Sequence, residues 1–257
     1  MKTNRFFNFR RFYHLLCADF RLNGRRYLFT LAGGIIIVYL FILFEMKSYN
    51  KFTVSDYVPL FYVCAFGLSL IAGSAFPIFS NRIKAGNYLL LPASTLEKIA
   101  SQFLIYVVFA VLAFLLIFWA DTHLARWSML QMADLDTGVV VEKFCYSTLC
   151  QSTDNLFIYI AISVGMFLFA ARLFFKRYAL IKSVVVLAIA AVLFICGLVL
   201  FSHIFYPEGT EGFEIALPQY KLASGLYNME IFCYVLIYSV WLLSLPVTYY
   251  KLKEKQV

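Results

Sequence analysis

NRIKAGNYLLLPASTLEKIASQ, residues 81–102, is the one long polar interruption between strongly apolar runs that carries a definite local design. Gly86 and Asn87 have the character of turn or helix-start residues, and Tyr88–Leu91 is a brief apolar run. Pro92 ends that run, because proline disfavours helical geometry in the residue before it. Ser94 and Glu97 then form a Ser-x-x-Glu capping box, in which each side chain accepts from a backbone N–H that the first turn leaves free. A new helix is expected from about Thr95, running on through Phe103–Trp119. The stretch is therefore a short helix-and-turn knob on a membrane surface, between two apolar segments.

Composition supports the membrane setting. Of 257 residues, 63% are hydrophobic, 19% aromatic and only 14% charged, with mean hydropathy +0.80; a soluble domain carries about a quarter charged residues. The net charge of +8 does not point to nucleic acid, since the basic residues stand beside apolar runs rather than on a separate domain.

Before the first long run, residues 1–26 hold Lys2, Arg5, Arg10, Arg11, Arg21, Arg25 and Arg26, interleaved with Phe6, Phe9, Tyr13, Leu16 and Phe20. The three- and four-residue spacings of those apolar positions put them on one helical face, the pattern of a helix lying in the membrane interface. No small-residue cleavage pattern follows, so a removed leader is not expected. Six runs of about 20 residues can cross the hydrocarbon: Tyr27–Phe44, Tyr57–Phe79, Ile99–Ala120, Leu156–Phe175, Ala179–Phe205 and Asn228–Tyr250. The expected fold is an all-α membrane protein, an interfacial segment 1–26 followed by a six-helix domain 27–257.

Orientation follows from Lys and Arg. With the N-terminus inside, inner segments hold seven before the first span, three in 82–98, four in 172–182 and three in 251–255, against five in all outer segments. Both termini are expected in the cytoplasm. The loop 172–182 is short enough to make spans four and five an antiparallel hairpin, with Arg172, Lys176, Arg177 and Lys182 as headgroup-level anchors. The outer loops, 121–155 and 206–227, are longer. The first holds Cys145 and Cys150, whose spacing admits a local disulfide in an oxidising compartment. The second mixes Pro207, Gly209, Gly212 and Pro218 with apolar residues; it is either a surface loop or a segment dipping toward the bilayer under protein cover.

Chemistry is informative here by absence. With these span limits, no Asp, Glu, Lys, Arg or His stands in the middle of a span, which disfavours ion-coupled transport. No phosphate-binding loop, H-E-x-x-H or G-x-S-x-G motif occurs, and His14, His123 and His203 are scattered, so neither catalytic residues nor a metal site are expected. The spans do show packing devices: Ala65, Ser69, Gly73 and Pro77 recur every fourth residue and would let a neighbouring helix come close, within the subunit or at a seam between subunits.

The pattern R-x-K-x-G-x-x-x-L-L-x-P-x-S-x-x-E-K, with Arg82, Lys84, Gly86, Leu90, Leu91, Pro92, Ser94, Glu97 and Lys98, resembles the loop between spans two and three of the membrane subunit of an ABC-2 type exporter. Topology resembles that family over nearly the whole chain, sequence only over about 82–104. The resemblance implies that the loop 80–98, Asn87 included, couples to a separate cytoplasmic ATPase, present in two copies, which binds ATP and Mg; this chain would hold no cofactor and would not itself be an enzyme. It further implies a bacterial cytoplasmic membrane and a homodimer or a sister permease. The cargo that suits uncharged spans is amphipathic or hydrophobic: lipid-like, a peptide or an antimicrobial. The alternative is a non-transporting scaffold or sensor whose inner loop recruits a partner.

Overall fold

Forty consecutive residues without a proline, Phe9–Ser48, form the first helix, α1, in the computed structural model. The structure describes residues 7–48, 51–80, 82–132, 140–147, 149, 155–175, 178–205 and 228–255. At 1.5 Å per residue α1 is about 60 Å long, twice the roughly 30 Å of hydrocarbon in a bilayer. The basic segment and the first apolar run are thus one helix, unbroken at Arg26–Tyr27.

α2, Tyr57–Ala72, is shorter than its apolar run. The run predicts a helix to Phe79, but the chain leaves it at Gly73, takes Phe76 through φ 54° and makes a 3-10 turn at Pro77–Ser80. Pro77 is the reason, because its ring bars helical geometry at Phe76 and it has no N–H to donate. α3, Arg82–Leu89, follows. Gly86 and Asn87 therefore stand inside a helix and not at its start; the cost of an interior glycine is about 1 kcal/mol, and Leu90 N still donates to Gly86 O at 3.1 Å.

α4, Thr95–Phe103, begins where the capping box places it. It continues through a π-helical stretch, Leu104–Phe109, into α5, Ala110–Met132. The expected end at Ala120 is overrun by three turns, since nothing in the sequence beyond Ala120 breaks a helix before Met132. As a result Asp121 lies inside the helix, 3% exposed, with its Oδ2 buried and unpartnered. A charged group inside this segment is what the shorter span limits had excluded.

α6 is Asn155–Ala171, α7 Ala179–Phe205 and α8 Asn228–Glu254. Among the described residues, five helices are long and apolar enough to cross a membrane, and α6 is a shorter apolar one. This is an all-α, multi-pass membrane protein. α2 and α8 both pack on α6, α1 packs along α5, and α4 touches α1 and α8. Ser69 and Gly73 of α2 face α6: a Cβ on Gly73 would stand 3.1 Å from Leu168 Cβ, and one on Gly165 would stand 3.5 Å from Ser69 Cβ. Two of the four small residues thus let helices of the same chain approach. Ala65 packs beside the larger apolar cluster, and Pro77 belongs to the turn after α2.

The core is in two parts. One cluster, with Ile42, Met46, Tyr57, Phe61, Phe118 and Phe144, fills the end of the bundle away from the basic segment. A two-residue parallel ladder, Lys51–Phe52 with Val140–Val141, closes that end. The other cluster, with Phe76, Ile99, Tyr106, Phe169, Leu173 and Leu252, fills the basic end. Cys150 and the loop 206–227 lie outside the described residues, so neither the Cys145–Cys150 pairing nor a dipping segment belongs to this description.

Candidate functional site

The turn between α3 and α4 is a tip held from three sides. Pro92 stops α3, Ala93 N donates back to Leu91 O at 2.7 Å, and Ser94 opens α4. Ser94 Oγ accepts from Glu97 N at 3.1 Å and Glu97 Oε2 accepts from Ser94 N at 2.8 Å. Such a cap stabilises a helix start by about 0.5–2 kcal/mol.

Glu97 does more than cap. Its Oε1 accepts from the backbone N of Asn8 at 2.6 Å and from Arg11 Nη2 at 3.2 Å, so the carboxylate also fastens the tip to the start of α1. Glu97 is fully buried while the Arg11 side chain is 38% exposed. The hydrogen bonds to a sealed carboxylate therefore count for more than the partly solvated ion pair. Lys98, 1% exposed, turns the other way: Nζ donates to Leu89 O at 2.9 Å and lies 5.6 Å from the centre of the Tyr88 ring. A cation there satisfies an orphan carbonyl at the C-terminal end of α3 and complements its dipole. Tyr88 is itself buried, which pushes its phenol pKa above the ordinary value.

Of the residues singled out in the loop, Glu97 and Lys98 are thus internal braces. Gly86, Leu90, Leu91 and Pro92 are exposed, Leu90 at 84%. Leu96, which sequence reading passed over, joins them at the surface. Ser94 is half-buried in its cap. The side chains of Arg82, Lys84 and Asn87 lie outside the described residues. What the tip offers outward is an apolar cap of leucines and a proline on a braced turn.

Behind the tip is a polar relay that sequence reading did not find. Asp19 of α1, 5% exposed, accepts from Asn23 Nδ2 at 2.6 Å, Tyr27 Oη at 3.2 Å and Gln102 Nε2 at 2.8 Å. Gln102 Oε1 in turn accepts from Phe76 N at 3.0 Å, capturing the amide that the break after α2 sets free. Arg172, just past α6, donates from Nε to Ala75 O at 3.2 Å in the same break. The available signals were slight: Asp19 is the lone acidic residue among seven basic ones, and Gln102 a polar residue opening an apolar run.

Among the described residues, no three His, Cys, Asp or Glu side chains group as metal ligands. Family models, curated proteins and solved structures offer no match to this chain.

Proposed function

We propose that this chain is the membrane-spanning permease subunit of an ABC-2 type exporter in a bacterial cytoplasmic membrane, with both termini and the α3–α4 tip in the cytoplasm. A separate ATPase, two copies per assembly, docks on the tip and supplies the energy of ATP. In this reading α6 counts as a sixth crossing; its 17 residues span about 25 Å, a mismatch a bilayer accommodates by thinning.

The observation that carries the reading is the contrast between the outside and the inside of the tip. Leu90, Leu91 and Pro92 stand exposed in the turn between α3 and α4, with Leu96 exposed in the first turn of α4. Behind them Glu97, Lys98 and Gln102 connect the turn to α1, to α3 and to the break after α2. An exposed apolar patch on a rigid support is an interaction site, and force applied there passes to three helices at once. Closure of the ATPases on ATP would tilt α1, α2 and α4 together and change access to a path for an amphipathic or hydrophobic cargo. The outward faces of α1 and α7, with Ile37, Phe44, Val192 and Leu193 exposed, meet lipid, a second copy or a sister subunit.

Affinity purification of the full-length chain tests this. A Walker-motif ATPase should accompany the wild type and be lost from Leu90→Asp, which should still insert in the membrane. A cysteine at Leu90 should react with a membrane-impermeant maleimide only after cells are opened. Labelling of intact cells at that position would overturn the orientation, and recovery of a partner without nucleotide hydrolysis would make the chain a scaffold instead.

A further inference from the structure

Beyond Phe44, the last residue of the first apolar run, α1 continues for one more turn, and Glu45 stands in it. It is half-buried, yet among the described residues it accepts no hydrogen bond and pairs with no cation. Glu45 lines a cleft of about 200 Å³ between the end of α1 and the head of α2. Phe41, one turn before it, Phe52 of the short ladder, and Asp56, Pro59 and Val63 at the head of α2 form most of the remaining wall. Asp56 is held in place, its Oδ2 accepting from Thr53 N at 2.7 Å and from Thr53 Oγ1 at 2.8 Å. The Phe52 ring is fixed too, edge-on to Tyr57 at 4.9 Å. Two carboxylates and two aromatic rings thus share one space, and no Lys or Arg among the described residues lines it. Lys47 and Lys51, nearby along the chain, are both exposed and paired with neither acid.

Acids set in an apolar wall are costly unless a cation offsets them. Aromatic rings attract an organic ammonium ion through their quadrupole, and carboxylates beside them add charge without asking for an N–H donor. We infer that the cleft binds the ammonium head of a cationic amphiphile, with Glu45 and Asp56 supplying charge and Phe41 and Phe52 the aromatic wall. The size suits a head group and not a whole molecule, since drug-sized ligands take about 300–1,000 Å³. The tail has its place outside. Pro59, Val63, Phe66 and Leu70 are exposed and recur at separations of four, three and four, so one apolar stripe of α2 runs from the cleft along the hydrocarbon. A divalent metal ion, which seeks oxygen ligands, gains nothing from the rings or the stripe. A phosphocholine lipid would bring a phosphate beside the two acids. The site stands whether or not the chain is an exporter.

The full-length protein, with any partner it retains, is titrated in dodecyl maltoside with decyltrimethylammonium, and the bound fraction is counted by native mass spectrometry. The probe should be retained on the wild type and equally on Glu254→Gln, an exposed acid near the C-terminal end of α8. Glu45→Gln, which breaks no bond within the protein, should weaken the apparent affinity about tenfold and leave the Tm of the free protein where it was. Phe41→Leu, which keeps an apolar wall without the ring, should weaken it as well. Unchanged affinity in Glu45→Gln would overturn the site. Equal binding of an uncharged decyl glucoside would make the cleft a plain apolar groove, equal binding of dodecylphosphocholine a lipid headgroup site, and competition by Mg or Ca alone a metal site; each refutes the assignment. A wild-type dimer that Glu45→Gln dissolves would show a second copy filling the cleft, with the same consequence.

Discussion

The side chain of Gln102 binds Asp19 at one end, Nε2 to Oδ2 at 2.8 Å, and the amide of Phe76 at the other, Oε1 to N at 3.0 Å. One residue at 1% exposure thus holds the basic segment of α1 to the place where α2 breaks. Removing it orphans the buried N–H of Phe76, at a cost of about 1–3 kcal/mol, and leaves Asp19 Oδ2 with only the longer bond from Tyr27 Oη at 3.2 Å. Gln102→Leu should therefore lower thermal stability more than any surface substitution, as a Tm measurement in detergent would show. Gln102→Glu should also destabilise, because it faces the Asp19 carboxylate with a second acid.

Glu97 joins the tip to the first residues of α1. Glu97→Ala removes the acceptor for Ser94 N, Asn8 N and Arg11 Nη2 in one step. A loss of about 1–3 kcal/mol is expected from these groups. Limited proteolysis should then cut at the α3–α4 turn faster than in the wild type. An unchanged cutting rate would contradict the bracing role. Glu97→Gln, which keeps an acceptor oxygen, should lie between the two.

Gly73 tests helix contact. Its missing Cβ would stand 3.1 Å from Leu168 Cβ, closer than two carbons pack. Gly73→Val should separate α2 from α6 and destabilise by about 1–3 kcal/mol through overpacking. Gly34 of α1 has nothing within 4 Å; Gly34→Ala should leave the monomer as stable or gain up to about 1 kcal/mol of helix propensity. If Gly34→Leu reduces a dimer band in crosslinking while Gly73→Val does not, the seam between subunits lies on α1 and not on α2.

Tyr57 serves the opposite end. It is fully buried, with its ring edge-on to Phe52 at 4.9 Å and to Phe144 at 5.2 Å, and its hydroxyl donates to Glu142 O at 3.0 Å. Tyr57→Phe keeps the ring contacts and removes that bond, so a loss of about 1 kcal/mol is expected. Tyr57→Ala, which also empties the aromatic cluster, should cost about 3–5 kcal/mol. Parallel Tm measurements on the two variants separate the hydrogen bond from the packing.

By itself the amino-acid sequence determined that this is an all-α membrane protein, where its apolar runs fall, and that a capped helix starts after Ser94. These are properties of composition or of residues three and four apart, and local spacing encodes them. Tertiary structure alone decided which way the capped turn faces: Glu97 and Lys98, charged and adjacent, are the kind of residues expected outside, yet both turn inward. Asp19 bonds Gln102 across 83 positions of chain, and Phe76 turns to meet that same glutamine. The reason is physical. A buried polar group must find a partner wherever the fold brings one, and distance along the chain carries no trace of which helices will lie side by side.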